Sequence, residues 1–223
     1  AIFACALAAG AHAQSVADTI DAHMAAAKAA AGTEYAGVLQ RLCIKPDAGP
    51  SPQVAPGAPP DRSSWLSVPV KVFDNLYFVG TIEHSAWAVT TSEGIILVDT
   101  IYDYTIDAIV GGLKQLGLDP AQIKYAIVSH GHGDHAGGAK YLQDTYGTRI
   151  IVSAADWELI EKSPRVPAKP RRDMVATDGQ KLTLGDTTVT MYLTPGHTPG
   201  TISTLIPVKD GGKPHIAAEL GGT

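Results

Sequence analysis

Four side chains that commonly bind metal ions fall within six consecutive residues: His130, His132, Asp134 and His135. They follow an apolar run at 123–129 that predicts a buried strand, and a helical pattern begins directly after them. The glycines between them let the backbone fold tightly around an ion without Cβ clashes. Imidazole and carboxylate ligands without a thiolate are typical of Zn²⁺ or a similar ion. This segment therefore predicts a metal site at the end of a strand.

A catalytic zinc site usually has three protein ligands and one open position, so the first segment needs a further ligand. His197 is the candidate, because it lies in the Pro/Gly-rich segment Thr194–Gly200 after another strand pattern. Loops at strand ends commonly carry functional residues. We therefore expect His130, His132 and His197 to converge on one metal position.

The histidine-rich segment has two alternative interpretations: a solvated surface turn, and a closed structural zinc site, which would often contain cysteine. Neither explains why a second histidine loop follows another strand. The remaining histidines have no such neighbours and are interpreted as lying outside the site: His12, His23, His84 and His215. Of these, His84 is the least certain, because it lies in a loop after a strand. Trp87 and Trp157 are interpreted as core residues.

The elements that must position these residues form two patterns along the chain. Strands are predicted in pairs before residue 100: Val68–Phe73 with Leu76–Val79, and Ala86–Thr91 with Ile95–Asp99. Helices and strands then alternate: Thr105–Leu116, Ile123–Ser129, Ala136–Tyr146, Arg149–Ser153 and Ala154–Glu161. A strand-rich tail follows: Lys181–Leu184, Thr187–Leu193 and Ile202–Pro207. Hairpins followed by βαβ alternation predict an α+β (α/β) fold with a mixed sheet and helices outside it.

Composition narrows the classes of function. The 223 residues include 45% apolar residues and carry a net charge of −5. That apolar content can form a large core, and no continuous apolar run is long enough to span a membrane. The acidic balance argues against nucleic acid as the main partner. A small-molecule substrate is the expected partner.

The two ends of the sequence carry further expectations. Residues 1–13 are small and apolar and end in Ala11-His12-Ala13, which is typical of a signal peptide whose first residues are missing. Cleavage there predicts a periplasmic or secreted protein in which Cys43 is the only cysteine. Residues 14–64 are expected to form a helix at 15–31 and then a linker at 46–60, which holds six of the fifteen prolines. The end at Thr223 looks cut directly after a strand.

The two histidine segments together resemble the metallo-β-lactamase superfamily. The resemblance rests on His130-Gly-His132-Gly-Asp134-His135 and on the later Pro195–Gly200 loop, and it covers residues 65–223. It implies a four-layer αβ/βα sandwich, with the C-terminal part truncated here. It also implies a dinuclear zinc site at the edge between the two sheets.

Carried over residue by residue, the resemblance implies that His130, His132 and His197 bind the first zinc. Asp134 and His135 resemble ligands of the second zinc, and Asp134 also orients the catalytic hydroxide. The cofactor is therefore expected to be one or two Zn²⁺ ions. The third ligand of the second zinc is expected beyond Thr223. Within this sequence only His84 and His215 could replace it.

The expected strand at 215–220 shows which branch of the superfamily the sequence resembles. Many of its hydrolases, including glyoxalase II thioesterases and lactonases, carry an Asp there that bridges both metals. This strand ends in Gly221-Gly222-Thr223, as in the third subclass of class B β-lactamases, which also binds both metals without cysteine. The resemblance thus implies a zinc hydrolase that opens a β-lactam ring. A thioester or lactone hydrolase and a catalytically inactive metal-binding module are the alternatives.

Overall fold

A computed structural model of the protein describes residues 16–37, 39 and 65–222. The predicted signal peptide, the proline-rich segment 46–60 and both cysteines lie outside the described residues. The chain divides into two units, Ala1–Val54 and Ala55–Thr223. The first contains helix α1 (Val16–Ala31), which agrees with the helix predicted over 15–31. No helix in the described part of the chain is long and apolar enough to cross a membrane.

The second unit is built on a mixed sheet of seven strands. In spatial order these are β1 (Val70–Phe73), β2 (Leu76–Phe78), β3 (Trp87–Thr91), β4 (Gly94–Val98), β5 (Ile123–Ile127), β6 (Arg149–Ser153) and β7 (Met174–Ala176). The first four strands are antiparallel neighbours, and β4 to β7 run parallel. The predicted hairpins and the predicted mixed sheet are confirmed. The short strand β7 has no counterpart in the sequence analysis.

Helices cover one face of this sheet. They are α2 (Ile106–Gln115), α3 (Gly133–Ala136), α4 (Ala139–Tyr146) and α5 (Ala154–Lys162), with short 3₁₀ turns at Asp103–Thr105 and Pro120–Gln122. The single helix expected over 136–146 is wrong, since the chain forms α3 and α4 on either side of Gly137-Gly138. A Cβ on Gly138 would overlap the carbonyl oxygen of Thr100. This close approach of two backbone segments interrupts the helix.

A second sheet of four antiparallel strands packs on the other face. Its strands are β8 (Gln180–Leu184), β9 (Thr187–Leu193), β10 (Ile202–Asp210) and β11 (Lys213–Glu219), in the order β11-β10-β9-β8. The strands β10 and β11 meet at Gly211-Gly212, where both residues have positive φ. Glycine adopts this backbone conformation without strain.

Side chains alternate between the two faces of the central sheet, as strand geometry requires. On β4, Ile95 and Leu97 pack toward the helices, whereas Ile96 and Val98 pack toward the second sheet. Trp157 of α5 is fully buried in the helical side of the core, as expected. The α/β architecture is therefore confirmed, with helical, sheet and sheet layers in the described part of the chain.

Candidate metal centre

The loop after β5 and the loop after β9 meet at the edge shared by the two sheets. Here the ring centroids of His130 and His197 are 4.5 Å apart, and His132 lies 4.9 Å from each. One nitrogen from each of the three rings lies within 4.8 Å of the other two. The structure therefore brings together the three histidines that the sequence singled out for one metal position.

The nitrogens are spaced as ligands of one ion would be. His132 Nδ1 and His197 Nε2 are 3.1 Å apart. Two ligand atoms of a tetrahedral zinc, each about 2.0–2.1 Å from the ion, are separated by about 3.3 Å. His130 is buried while His197 is exposed, so the position is fixed on one side and open to solvent on the other.

The protonation of His130 also suits a metal ligand. Its Nδ1 donates a hydrogen bond to the Gly221 carbonyl oxygen at 2.7 Å, so Nε2 carries the lone pair. That Nε2 is buried and has no hydrogen-bond partner among the described residues. Burial and the neighbouring His135 lower the pKa of His130 to about 4, which keeps the ring neutral at pH 7. A buried acceptor without a partner is costly, and a metal ion would satisfy it.

Asp134 and His135 lie in α3 and form a second group with His130, again within 4.8 Å. His135 Nε2 lies 3.5 Å from Asp134 Oδ2, and its Nδ1 donates to Asp99 Oδ2 at 2.6 Å. Burial alone would lower the pKa of His135, but the charge and hydrogen bond of Asp99, with Asp134 and Glu219, raise it to about 9. His130 is thus a member of both groups.

Asp99, which the sequence analysis did not single out, orients this second group. It follows β4, is 1% exposed and accepts hydrogen bonds from the backbone N–H and hydroxyl of Ser129 as well as from His135. Its φ of 64° is unusual for a residue other than glycine. Such local strain is common at functional sites. The only sign of Asp99 in the sequence is a lone carboxylate at the end of an apolar strand.

Asp156, in the first turn of α5, was also missed and links the two histidine loops. Its carboxylate accepts from Gly131 N at 2.8 Å in the first loop. In the second loop it accepts from the Thr198 hydroxyl at 2.6 Å and from Gly200 N at 2.9 Å. Asp156 is fully buried. Because both loops donate to one carboxylate, Asp156 fixes the distance between His130 and His197.

The Gly221-Gly222 pair after β11 packs against the site. A Cβ on Gly222 would lie 2.9 Å from the His197 Cβ, and a Cβ on Gly221 would overlap the Ile202 carbonyl oxygen. Only glycine allows the backbone to approach closely enough for Gly221 to accept from His130. Glu219 lies just before this pair, and its Oε2 is buried without a hydrogen-bond partner among the described residues. Burial and the charge of Asp99 raise the pKa of Glu219.

His84, which the sequence analysis interpreted as lying outside the site, is a neighbour of Asp134 but belongs to neither group of candidate metal ligands. Its Nε2 lies 3.7 Å from Asp134 Oδ2, and its side chain is 19% exposed. The loop between β2 and β3 carries it there. His215, by contrast, is exposed on β11 and has Phe73 as its ring neighbour at 6.5 Å.

Comparison with known proteins identifies the family. A model of the metallo-β-lactamase superfamily matches residues 79–211, which is more than half of the chain. The chain belongs to the metallo-β-lactamase superfamily. The matched region contains all five residues predicted as metal ligands.

Solved structures agree with this assignment. BJP-1, a subclass B3 metallo-β-lactamase of Bradyrhizobium japonicum, superposes with a TM-score of 0.66 at 31% identity, over 72% of this chain and 65% of that one. The metallo-β-lactamase GOB-18 from Elizabethkingia meningoseptica gives a TM-score of 0.68 at 26% identity, over 75% of this chain and 67% of that one. The predicted resemblance to the superfamily, with the pattern of its third subclass, is confirmed.

Other similar proteins are named for more varied activities. A hydroxyacylglutathione hydrolase of Acidiphilium cryptum is 34% identical over 84 residues, which is 38% of this chain and 31% of that protein. An N-acyl homoserine lactonase from a Bacillus species is 36% identical over 110 residues, which is 48% of this chain and 42% of that protein. This chain thus aligns with less than half the length of either relative.

Proposed function

We propose that this protein is a zinc-dependent hydrolase that opens an amide carbonyl, and that its substrates are β-lactams. The observation that carries the proposal is the convergence of His130, His132 and His197, with the buried Nε2 of His130 deprotonated and without a partner. Three imidazoles and an exposed side match the open coordination of catalytic zinc. Zinc suits these ligands because no thiolate or oxygen-rich cage is present among the described residues of the site.

The residues of the site have separable roles. A zinc ion bound there would lower the pKa of a water toward 7 and polarise the substrate carbonyl. His130, His132 and His197 would hold that ion, and Asp156 would keep the two loops at the required spacing. Asp99 would keep the proton of His135 on Nδ1, so that Nε2 faces Asp134. Asp134 would orient the attacking water and accept its proton through a carboxylate oxygen.

The choice of β-lactams is supported by the similar solved structures, which are named metallo-β-lactamases, one of them of subclass B3. The Gly221-Gly222 pair, where other branches carry a bridging carboxylate, favours the same branch. A thioester or lactone substrate is the second candidate, because curated relatives are named a hydroxyacylglutathione hydrolase and an N-acyl homoserine lactonase.

The test is a hydrolysis screen of the zinc-loaded protein against a penicillin, a cephalosporin, a carbapenem, an N-acyl homoserine lactone and an S-acyl glutathione. We expect turnover of the β-lactams, with a loss of at least about a hundredfold in His132→Ala and unchanged rates in His215→Ala. Turnover of the thioester or lactone alone would show that the substrates belong to that class and are not β-lactams. A zinc-loaded protein that hydrolyses none of the five would indicate the inactive metal-binding module.

We also propose that the protein is exported, on the basis of the sequence at residues 1–13. N-terminal sequencing of the mature protein from its host would show a start at Gln14. A mature chain that retains residues 1–13 would contradict export by this route.

A further inference from the structure

The segment between α5 and β7 brings a cation to the rim of the metal centre. A Cβ on Gly133 would overlap the Arg165 carbonyl oxygen and would lie 3.4 Å from the Arg165 Cβ. Gly133 is the residue between His132 and Asp134, which are both predicted metal ligands. Because Gly133 has no side chain, the backbone of Arg165 packs directly against the turn that carries them.

Contacts on both sides of Arg165 hold this segment in place. Ser163 Oγ accepts a hydrogen bond from Arg165 N at 3.2 Å, and Val166 is fully buried in the helical side of the core. Lys169 Nζ donates to the Ile160 carbonyl oxygen at 2.6 Å and also to the Ser163 carbonyl oxygen. Arg165 itself is exposed. Its side chain can therefore be replaced without loss of the contacts that fix the backbone.

Arg165 lies close enough to the centre to influence two of its titratable neighbours. Burial and the charge of His197, with a smaller contribution from Arg165, lower the pKa of His132. Burial and the charge of Asp134 raise the pKa of Tyr102 to about 12, and Arg165 opposes this rise. The guanidinium therefore lies near both His132 and Tyr102.

Arg165 forms no ion pair with an acidic side chain of the described residues. By contrast, Arg149 pairs with Asp173 and Arg172 pairs with Glu161. A solvated surface cation is the ordinary explanation for such a side chain, but Arg165 lies beside a metal position that is open to solvent. A guanidinium at this place can bind an anionic group of a ligand, and its planar fork matches a carboxylate.

We propose that Arg165 binds a carboxylate of the substrate and so favours anionic substrates over neutral ones. The inference rests on the proposed function, because it takes the reacting carbonyl to lie at the position formed by His130, His132 and His197. Penicillins, cephalosporins and carbapenems carry a carboxylate on the ring fused to the β-lactam, and an S-acyl glutathione carries two carboxylates. An N-acyl homoserine lactone carries none. Arg165 therefore favours β-lactams and the thioester over the lactone.

The test compares a cephalosporin carboxylate with its neutral methyl ester as substrates of the zinc-loaded protein. We expect Arg165→Ala to raise KM for the carboxylate by at least about tenfold and to change kcat by less than about threefold, because this contact is made in the bound substrate as well as in the transition state. KM for the ester should change by less than about twofold. Arg165→Lys keeps the charge without the planar fork, so it should recover part of the loss.

Arg171→Ala is the matched control, because it removes an equal charge from the same segment. Arg171 lies beside Gly147 and Arg149 at the start of β6, whereas the metal centre follows the end of the parallel neighbour β5. We expect this control to leave both KM values unchanged. Elemental analysis should give the same zinc content for Arg165→Ala as for the wild type, which shows that the metal centre is intact. An unchanged KM for the carboxylate in Arg165→Ala, or an equal rise for the ester, would overturn the inference.

Failure of the proposed function gives a different result, since the zinc-loaded wild type would then turn over no β-lactam. In that case calorimetric binding of the same two compounds measures the inference. We expect the carboxylate to bind at least about tenfold more tightly than the ester and Arg165→Ala to lose this preference. No preference in the wild type, or a preference that Arg165→Ala retains, would contradict the role assigned to Arg165.

Discussion

Single residues at the centre are assigned their roles by partners far away in the sequence. His130 presents Nε2 because its Nδ1 donates to Gly221, and His135 presents Nε2 because its Nδ1 donates to Asp99. His132 instead turns Nδ1 toward His197. The spacing of the histidines predicts which residues gather, but it cannot predict which nitrogen faces the ion. That choice depends on a carbonyl and a carboxylate from other elements.

Asp99→Asn tests this orientation at the residue scale. The amide can present its NH₂ group to His135 Nδ1, so the ring loses the partner that fixes its proton. We expect the affinity for the second metal ion to fall by about 10- to 100-fold, with the first less affected. Zinc titration by calorimetry measures both. Asp144→Asn, on the exposed surface of α4, is the control, and equal affinities in the two variants would contradict the role assigned to Asp99.

At the scale of elements, the sequence predicts what is local and misses what tertiary contacts decide. The two predicted strand pairs, β1 with β2 and β3 with β4, and the apolar strand β5 have clear local signals and are confirmed. The break between α3 and α4 depends on a backbone contact with Thr100, which no local pattern reveals. The strand β7 has three residues and exists because it pairs with β6. Asp156 has a capping signal, since Ser153 accepts from its N–H, but its contacts with two loops are not local.

Asp156→Asn tests the link between the two histidine loops. Gly131 N and Gly200 N donate to different oxygens of Asp156, so the NH₂ group of a buried amide would face one of these two donors and leave it unsatisfied. We expect the free energy of unfolding to fall by about 2–4 kcal/mol and the first metal ion to bind more weakly. Denaturant unfolding and zinc titration measure the two effects. Glu158→Gln, exposed on the same helix, is the control and is expected to change neither the free energy of unfolding nor the zinc affinity. If Asp156→Asn also changes neither, Asp156 is not needed to link the two loops.

The ion pair between Arg149 and Asp173 joins β6 to the segment before β7 and gives a pH dependence. Arg149 donates to both Asp173 oxygens at 2.7 Å, and this hydrogen bond lowers the pKa of Asp173. The folded carboxyl is therefore more acidic than its unfolded form. Its stabilisation is present above the unfolded pKa near 3.8 and is lost as the pH falls through the lower folded value.

Asp173→Asn is accordingly expected to lower the free energy of unfolding by about 0.5–1 kcal/mol at pH 7, because the Arg149 side chain is exposed and solvent screens the pair. The difference from wild type should shrink as the pH falls from 5 toward 3. Urea unfolding across this range measures it. A difference that stays constant down to pH 3 would show that the carboxylate charge is not its source.

At the scale of the molecule, the first metal position lies where the two sheets meet. His130 and His132 follow β5 of the larger sheet, and His197 follows β9 of the smaller one. The family motif in the sequence was sufficient to predict this convergence and the α/β class. The sequence does not show which apolar residues of the smaller sheet are exposed, because that depends on which strand positions face away from the larger sheet. In the described part of the chain they include Leu205 and Ile216.

Because the first ion would join loops from both sheets, its removal should destabilise the whole second unit. An ion that binds only the folded state adds about 2.7 kcal/mol at a free concentration one hundred times its Kd. For a domain of this size that corresponds to a rise in Tm of about 5–11 °C. We expect chelation with EDTA to reverse this rise, as measured by thermal unfolding with and without zinc. His132→Ala should show little response to zinc, whereas His215→Ala should respond like the wild type. Only His132→Ala removes a ligand of the ion that joins the two sheets. Equal responses in the two variants would therefore mean that zinc stabilises the fold from another site.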